Sequence, residues 1–180
     1  MEVRQAVTSD IADLVKLQEQ CHIGNINESE KEDGFLNTVL DEQLLTAAIT
    51  NDNSVFVAVS NSRIVGLAVC GSWDFWSFSP SLSARSEKLP NLESQCLSRD
   101  NSYFWGPVCI SKSHRGKGVF ELLFNESKKV MSNKYPFIYT YVHQDNKRSY
   151  AAHTRKSGFI YTQDFILNDQ CFKELVRTTM

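Results

Sequence analysis

The chain has 180 residues, a net charge of −2 and 42% hydrophobic side chains. That size and apolar share supply one substantial core and predict a single domain over residues 1–180, while the near-neutral charge argues against broad nucleic-acid binding and points to a small partner. Five cysteines, Cys21, Cys70, Cys96, Cys109 and Cys171, lack C-x-x-C spacing; they predict reduced thiols in a cytoplasmic protein rather than disulfides or a zinc site, and no apolar run reaches the ~20 residues that span a bilayer.

Val3 to Val7 alternates apolar and polar residues, and Thr8-Ser9-Asp10 then caps a helix with Ile11, Leu14, Val15 and Leu17 at helical spacing. Gly24 to Gly34 is polar and acidic, a mobile loop or a short exposed helix. Asp41 opens a second helix through Ile49, and Val55–Val59 and Arg63–Cys70 flank Ser60-Asn61-Ser62 as a hairpin. Residues 71–102 break the pattern with Trp73, Phe75, Trp76 and Phe78 and then Pro80 and Pro90, which predicts a helix-and-loop insertion. Its rings are either a packing cluster or one wall of an apolar ligand pocket. Tyr103–Ile110 returns to strand composition, but Gly106-Pro107 lies inside it, and proline cannot donate to a ladder, so a bulge or splay is expected there. A third helix follows Gly118, then a strand over Pro136–Val142, a helix capped by Asp145-Asn146 that ends near Gly158, and a closing hairpin around Asn168-Asp169. The order is a mixed α/β sheet flanked by helices, with a strand-helix-strand crossover after Tyr103.

The stretch from Val108 to Phe120 carries the most chemistry. Strand residues run into Ser111-Lys112-Ser113-His114-Arg115-Gly116-Lys117-Gly118 and then a helix. Glycines at a helix entrance let consecutive N–H groups converge, and the helix dipole adds positive character, so the turn is built to cradle an anion. Arg115, Lys117, Lys112 and His114 surround it with cationic side chains that suit a pyrophosphate. A P-loop is excluded, because Gly118 follows Lys117 where a hydroxyl is required; a dinucleotide fingerprint lacks its third glycine.

The Arg115-Gly116-Lys117-Gly118-Val119 turn resembles motif A of the GNAT superfamily of acyl-CoA-dependent N-acyltransferases, with Phe120 replacing the usual small residue. The region from Val142 through Asn146 and Ser149 to Gly158-Phe159 resembles motif B of the same superfamily, with its helix one residue longer than the pattern. The resemblance implies a GNAT-like fold, a central and mostly antiparallel sheet with one splayed strand pair. Acetyl-CoA would lie in the splay without any metal, its pantetheine along Val108, Cys109 and Ile110. Its pyrophosphate would rest on Arg115, Gly116, Lys117, Gly118, Val119 and Phe120, and Asn146 would hold its amide arm. The ring of Phe120 would either narrow the phosphate approach or turn into the core.

An acyl transfer of this kind needs a neutral amine, a donor for the developing oxyanion and a proton for the leaving thiolate. The resemblance gives the proton to His153, with Tyr150 as the alternative one turn earlier, or to water. His143, Glu32 and Asp33 are candidate bases, and Cys109 reads as a buried strand thiol rather than a nucleophile. The expected function is acetyl transfer by direct attack of a small-molecule amine, with a protein amine as second choice. No nucleic-acid or membrane partner is expected, and homodimerisation stays open. The rival is a catalytically silent CoA-binding sensor or interaction domain; acetylation of aminoacyl-tRNA would need a wide basic surface that the composition does not supply.

Overall fold

Alternation in the sequence becomes the two faces of one sheet. The computed structural model describes residues 1–180, with strands β1 (Glu2–Gln5), β2 (Val55–Ser60), β3 (Arg63–Gly71), β4 (Asn91–Leu92), β5 (Gln95–Cys96), β6 (Ser102–Ile110), β7 (Phe137–His143), β8 (Ile160–Leu167) and β9 (Gln170–Thr178). Helices α1 (Ile11–Cys21), α2 (Glu42–Thr50), α3 (Pro80–Ser86), α4 (Val119–Met131) and α5 (Lys147–Ala151) flank them. The polar Gly24–Gly34 stretch holds a 3-10 segment over Glu28–Asp33. The large sheet runs β1-β2-β3-β6-β7-β9-β8. Every neighbouring pair is antiparallel except β6 and β7.

Local chemistry sets the boundaries. Asp41 caps α2 by accepting from the Leu44 N–H at 2.8 Å, and the hairpins turn through Asn61-Ser62 and Asn168-Asp169, all four with positive φ, the twist that joins antiparallel strands tightly. In β2 and β3, Val55, Val57, Leu67 and Val69 face α1, α2 and the insertion, whereas Phe56, Ala58, Ala68 and Cys70 face α4. Gly66 permits that second packing, since a Cβ there would sit 3.0 Å from Leu123 Cδ1.

The alternation changes phase inside β6. Ala68 pairs with Val108 but Cys70 pairs with Trp105, so Gly106 and Pro107 stand opposite Val69 alone. The additional residue shifts the inward side of the strand by one: Tyr103 and Trp105 point to the α4 side, Phe104 and Cys109 to the other. This is the bulge that the Gly-Pro pair predicted.

β6 and β7 pair only at Ser102–Phe137, Tyr103–Ile138 and Phe104–Tyr139. Beyond these positions β6 keeps only β3 and β7 keeps only β9. The sheet therefore forks. After β7, α5 passes into a π-helical turn over Ala152–Lys156. A π turn holds one residue more than an α turn, and it absorbs the additional residue counted between Asn146 and Gly158.

The insertion is fixed to the sheet. Trp73 and Trp76 are buried, and the Trp73 indole donates to Ser102 Oγ at 3.0 Å. Arg85 of α3 pairs with the fully buried Glu174 of β9, which also accepts from the Tyr139 hydroxyl at 2.9 Å. No helix is long and apolar enough to cross a membrane.

Candidate active site

Two cavities open from the fork. The larger, about 320 Å³, is lined by Val108, Cys109 and Ile110 of β6, the Arg115–Glu121 turn without Lys117, and Arg148, Ser149, Ala152, Arg155 and Lys156 of the following helix. The smaller, about 100 Å³, lies between the tip of the fork, the insertion and the Phe35–Thr38 loop. Phe35, Val108, Asn146 and Ser149 line both, so the cavities meet at the mouth of the fork.

Backbone polarity makes the larger cavity. Ser111 N–H donates to Val65 O at 2.8 Å; with alternate pairing, this places the Cys109 amide on β3 and turns those of Val108 and Ile110 into the fork. Past Ile110, Gly116 and Gly118 have φ values of 76° and 78°, a left-handed conformation that costs side-chain-bearing residues about 1–2 kcal/mol. The N–H groups of Gly116 through Phe120 find no acceptor elsewhere in the protein. They are the orphan donors of the α4 entrance, gathered at one wall. The Phe120 ring turns away from them, meeting Trp105 and His153 edge-on with centroids 5.3 and 5.0 Å apart. Of the two alternatives for that bulky residue, the core orientation is the one found.

The charged groups are distributed unlike the sequence expectation. Arg115 Nε donates to Ile110 O at 3.1 Å and its Nη1 to Asp33 O at 2.9 Å, so it braces the turn against the acidic segment. Arg148 pairs with Asp33 at 3.2 Å and Lys156 with Glu121 at 2.9 Å, while Arg155 enters the cavity lining without an ion pair. Lys117 lies outside both linings. Arg148, Arg155 and Lys156 were missed, although their spacing along one helix face was available as a signal.

Cys21 and Cys109 share this cavity. A hydrogen bond from the Cys109 thiol, aided by the Arg115 guanidinium, brings the Cys21 thiol down to about 7, and the same contact, with burial, raises Cys109 well above its ordinary value. Cys109 is thus a buried protonated thiol.

The residues expected to move protons fall in different places. His153 is buried and its Nδ1 lies 2.7 Å from Ser149 O. A carbonyl only accepts, so Nδ1 carries the proton. Burial pushes the imidazole down to about 4 despite that bond, so at neutral pH it is uncharged and its one N–H is engaged. Ser149 Oγ lies 3.4 Å from the same Nδ1. Tyr150 lines neither cavity; Lys173 Nζ lies 5.8 Å from the centre of its ring, which places it toward the β8–β9 hairpin. His143 lines the smaller cavity, where its Nδ1 accepts from the Asp145 N–H at 3.2 Å. Glu32 lines a separate outer hollow. Asn146 caps α5 by accepting from Ser149 N–H at 3.2 Å, and its Nδ2 donates to Phe35 O at 3.0 Å.

The comparisons agree with this architecture. The family model described as the acetyltransferase (GNAT) family matches residues 11–159. No curated protein matches the chain in sequence. Among solved structures, the chain is similar to the ribosomal-protein-alanine N-acetyltransferase from Brucella melitensis, with a TM-score of 0.66, 17% identity and 99% of each chain covered. It is similar to a GNAT superfamily phosphinothricin acetyltransferase from Sinorhizobium meliloti in complex with AcCoA (TM-score 0.67, 15% identity, 98% of this chain and 87% of that one). A third likeness is to yncA from Salmonella typhimurium with its cofactor acetyl-CoA (TM-score 0.63, 15% identity, 99% and 94% covered). With a forked sheet, an anion cradle at a helix entrance and a family match over most of its length, the chain belongs to the GNAT family of acyl-CoA-dependent N-acetyltransferases.

Proposed function

We propose that residues 1–180 act as one catalytic domain that transfers the acetyl group of acetyl-CoA to the primary amine of a small molecule by direct attack on the thioester. The observation that carries this reading is the row of unpartnered N–H groups from Gly116 to Phe120 beside a cavity that meets a second one at Val108 and Ser149. Phosphates belong on the donor row, where the helix dipole adds to the hydrogen bonds. Pantetheine runs along the fork-facing amides of Val108 and Ile110 as an added strand would. Arg155 supplies a charge for a phosphate. The two similar structures that hold acetyl-CoA support this choice of acyl donor.

The thioester then sits where the cavities meet, and the amine approaches from the smaller one. Attack forms the C–N bond and places charge on the carbonyl oxygen; collapse breaks the C–S bond and releases thiolate. Ser149 is the hydroxyl common to both cavities. The His153 Nδ1–H leaves Ser149 Oγ as an acceptor on that side, so the hydroxyl can pass a proton to the thiolate and regain one, through water, from the nitrogen that becomes the amide. In this reading His153 is a positioning residue. The protein's five free thiols suit a reducing compartment such as the cytoplasm.

The test follows CoA-thiol release from acetyl-CoA across a library of small amines and peptides. Release with small amines is expected. Acetyl-CoA binding without release by any amine would instead identify the silent sensor.

A further inference from the structure

From the lining of the smaller cavity we infer that the acceptor is a compact amine on an apolar arm, without a carboxylate or second ammonium, and that it reacts after entering uncharged. This rests on the proposed acetyl transfer at the same fork. The walls come from distant parts of the chain: Phe35 from the loop, Trp76 from the insertion, Phe104 from β6, Tyr141 from β7 and Phe172 from β9. No Asp, Glu, Lys or Arg is among the lining residues.

Three features converge on this acceptor. A carboxylate on the substrate would find no cation here, and a second ammonium no carboxylate, so each would exchange its hydration for neutral hydroxyl, amide and imidazole groups without a counter-charge. The volume, about 100 Å³, is below the ~150 Å³ of an apolar cavity that holds benzene, which limits the arm to a few heavy atoms inside the walls. Both lining histidines are poor acceptors for an ammonium's proton: His143 spends its Nδ1 lone pair on the Asp145 N–H, and burial makes His153, whose Nδ1–H is held by Ser149 O, a weak base at its remaining Nε2. Desolvation among rings performs that task instead, because burial favours the neutral amine over the ammonium.

Acidic side chains do occur close by. Glu28, Glu32 and Asp145 line an outer hollow that shares only Phe35 and His143 with the smaller cavity, and those two rings stand with centroids 5.8 Å apart. A cationic acceptor reaching in from the hollow would have to pass that pair, so a diamine is the most informative competitor.

The experiment compares kcat/KM for three acceptors of similar size, a short alkylamine, a zwitterionic amino acid and a diamine. Acetyl-CoA binding is measured by calorimetry on the same protein. The alkylamine is expected to lead by about tenfold or more, the equivalent of one unpaired buried charge worth ~1.4 kcal/mol. Asn37→Asp, at an exposed position on the cavity wall, adds a carboxylate without disturbing the core and should shift the preference toward the diamine. Acetyl-CoA binding together with a wild-type preference for the amino acid or the diamine, or with turnover of other amines but none of these three, overturns this inference alone, whereas binding without release by any amine overturns the parent reading as well. Absence of acetyl-CoA binding overturns the parent reading and this one with it.

Discussion

The two cavities of the fork are made of different materials. The larger is walled by main chain: the fork-facing amides of β6, the glycine turn and the first N–H groups of α4, with guanidinium groups around them. The smaller is walled by side chains, with aromatic rings delivered by five separated stretches of sequence and neutral polar groups between them. One is therefore suited to an anionic group of constant chemistry, whatever side chains surround it, and the other has a shape that individual substitutions can remodel. A fold that keeps one substrate constant and varies the other gains from this division, because the parts that must differ are kept off the backbone that must not.

The division can be broken most directly at Gly118. It has φ 78° and no atom within 4 Å of the place a Cβ would occupy, so Gly118→Val strains the turn without a clash and leaves the smaller cavity untouched. Acetyl-CoA affinity is expected to fall about tenfold or more, as ~1.4 kcal/mol of strain alone would give, with the ranking of amines unchanged. Trp76→Phe is the reciprocal change. It should reorder the amines while shifting acetyl-CoA affinity less than about twofold, and calorimetry beside competition assays reads both. Trp76 is 1% exposed and packs against Phe104 at a centroid distance of 5.5 Å, so the ring serves the core and the cavity wall together. A moderate fall in melting temperature is expected with the altered ranking. A reordering by Gly118→Val, or a large affinity loss by Trp76→Phe, would dissolve the distinction.

A change that reads stability rather than either substrate concerns His153, on the wall of the smaller cavity. Its folded-state value of about 4 lies below the ordinary 6.5, so the unfolded chain binds this proton first as pH falls. The contribution is whole above 6.5 and is lost as pH drops through that value toward 4. The loss amounts to about 3 kcal/mol over that span. His153→Leu removes it, and urea melts across the same interval should show a shallower decline in stability for the variant. Parallel declines would mean that the imidazole is not held neutral.

Residue patterns explain what could be read early. The glycine turn was legible because its function lies in backbone geometry that only particular residues permit, and the bulge because proline lacks a donor. The fork was implied by the family resemblance, with Gly106-Pro107 as a second reason for it. The smaller cavity was less legible: Trp76 was singled out, but Phe35, Tyr141 and Phe172 belong to a loop and two ordinary strands, and only the β7–β9 register brings Tyr141 and Phe172 together. Proton-transfer roles were hardest, since His153 and Tyr150 sit three residues apart yet only His153 lines a cavity. The π turn that begins at Ala152 alters the helical count on which such an assignment depends. Arg115 matched its motif but braces the loop through Ile110 O and Asp33 O, a use that residue type alone does not distinguish from holding a phosphate.

Amide hydrogen exchange with and without acetyl-CoA reads whether main chain at the fork and at the α4 entrance receives the acyl donor. Slowed exchange is expected at Val108, Ile110 and Gly116 through Phe120, with Cys109 unchanged because its amide already pairs with β3. Saturating acetyl-CoA that leaves the Gly116–Phe120 amides exchanging as before, or protects a different surface, would contradict it.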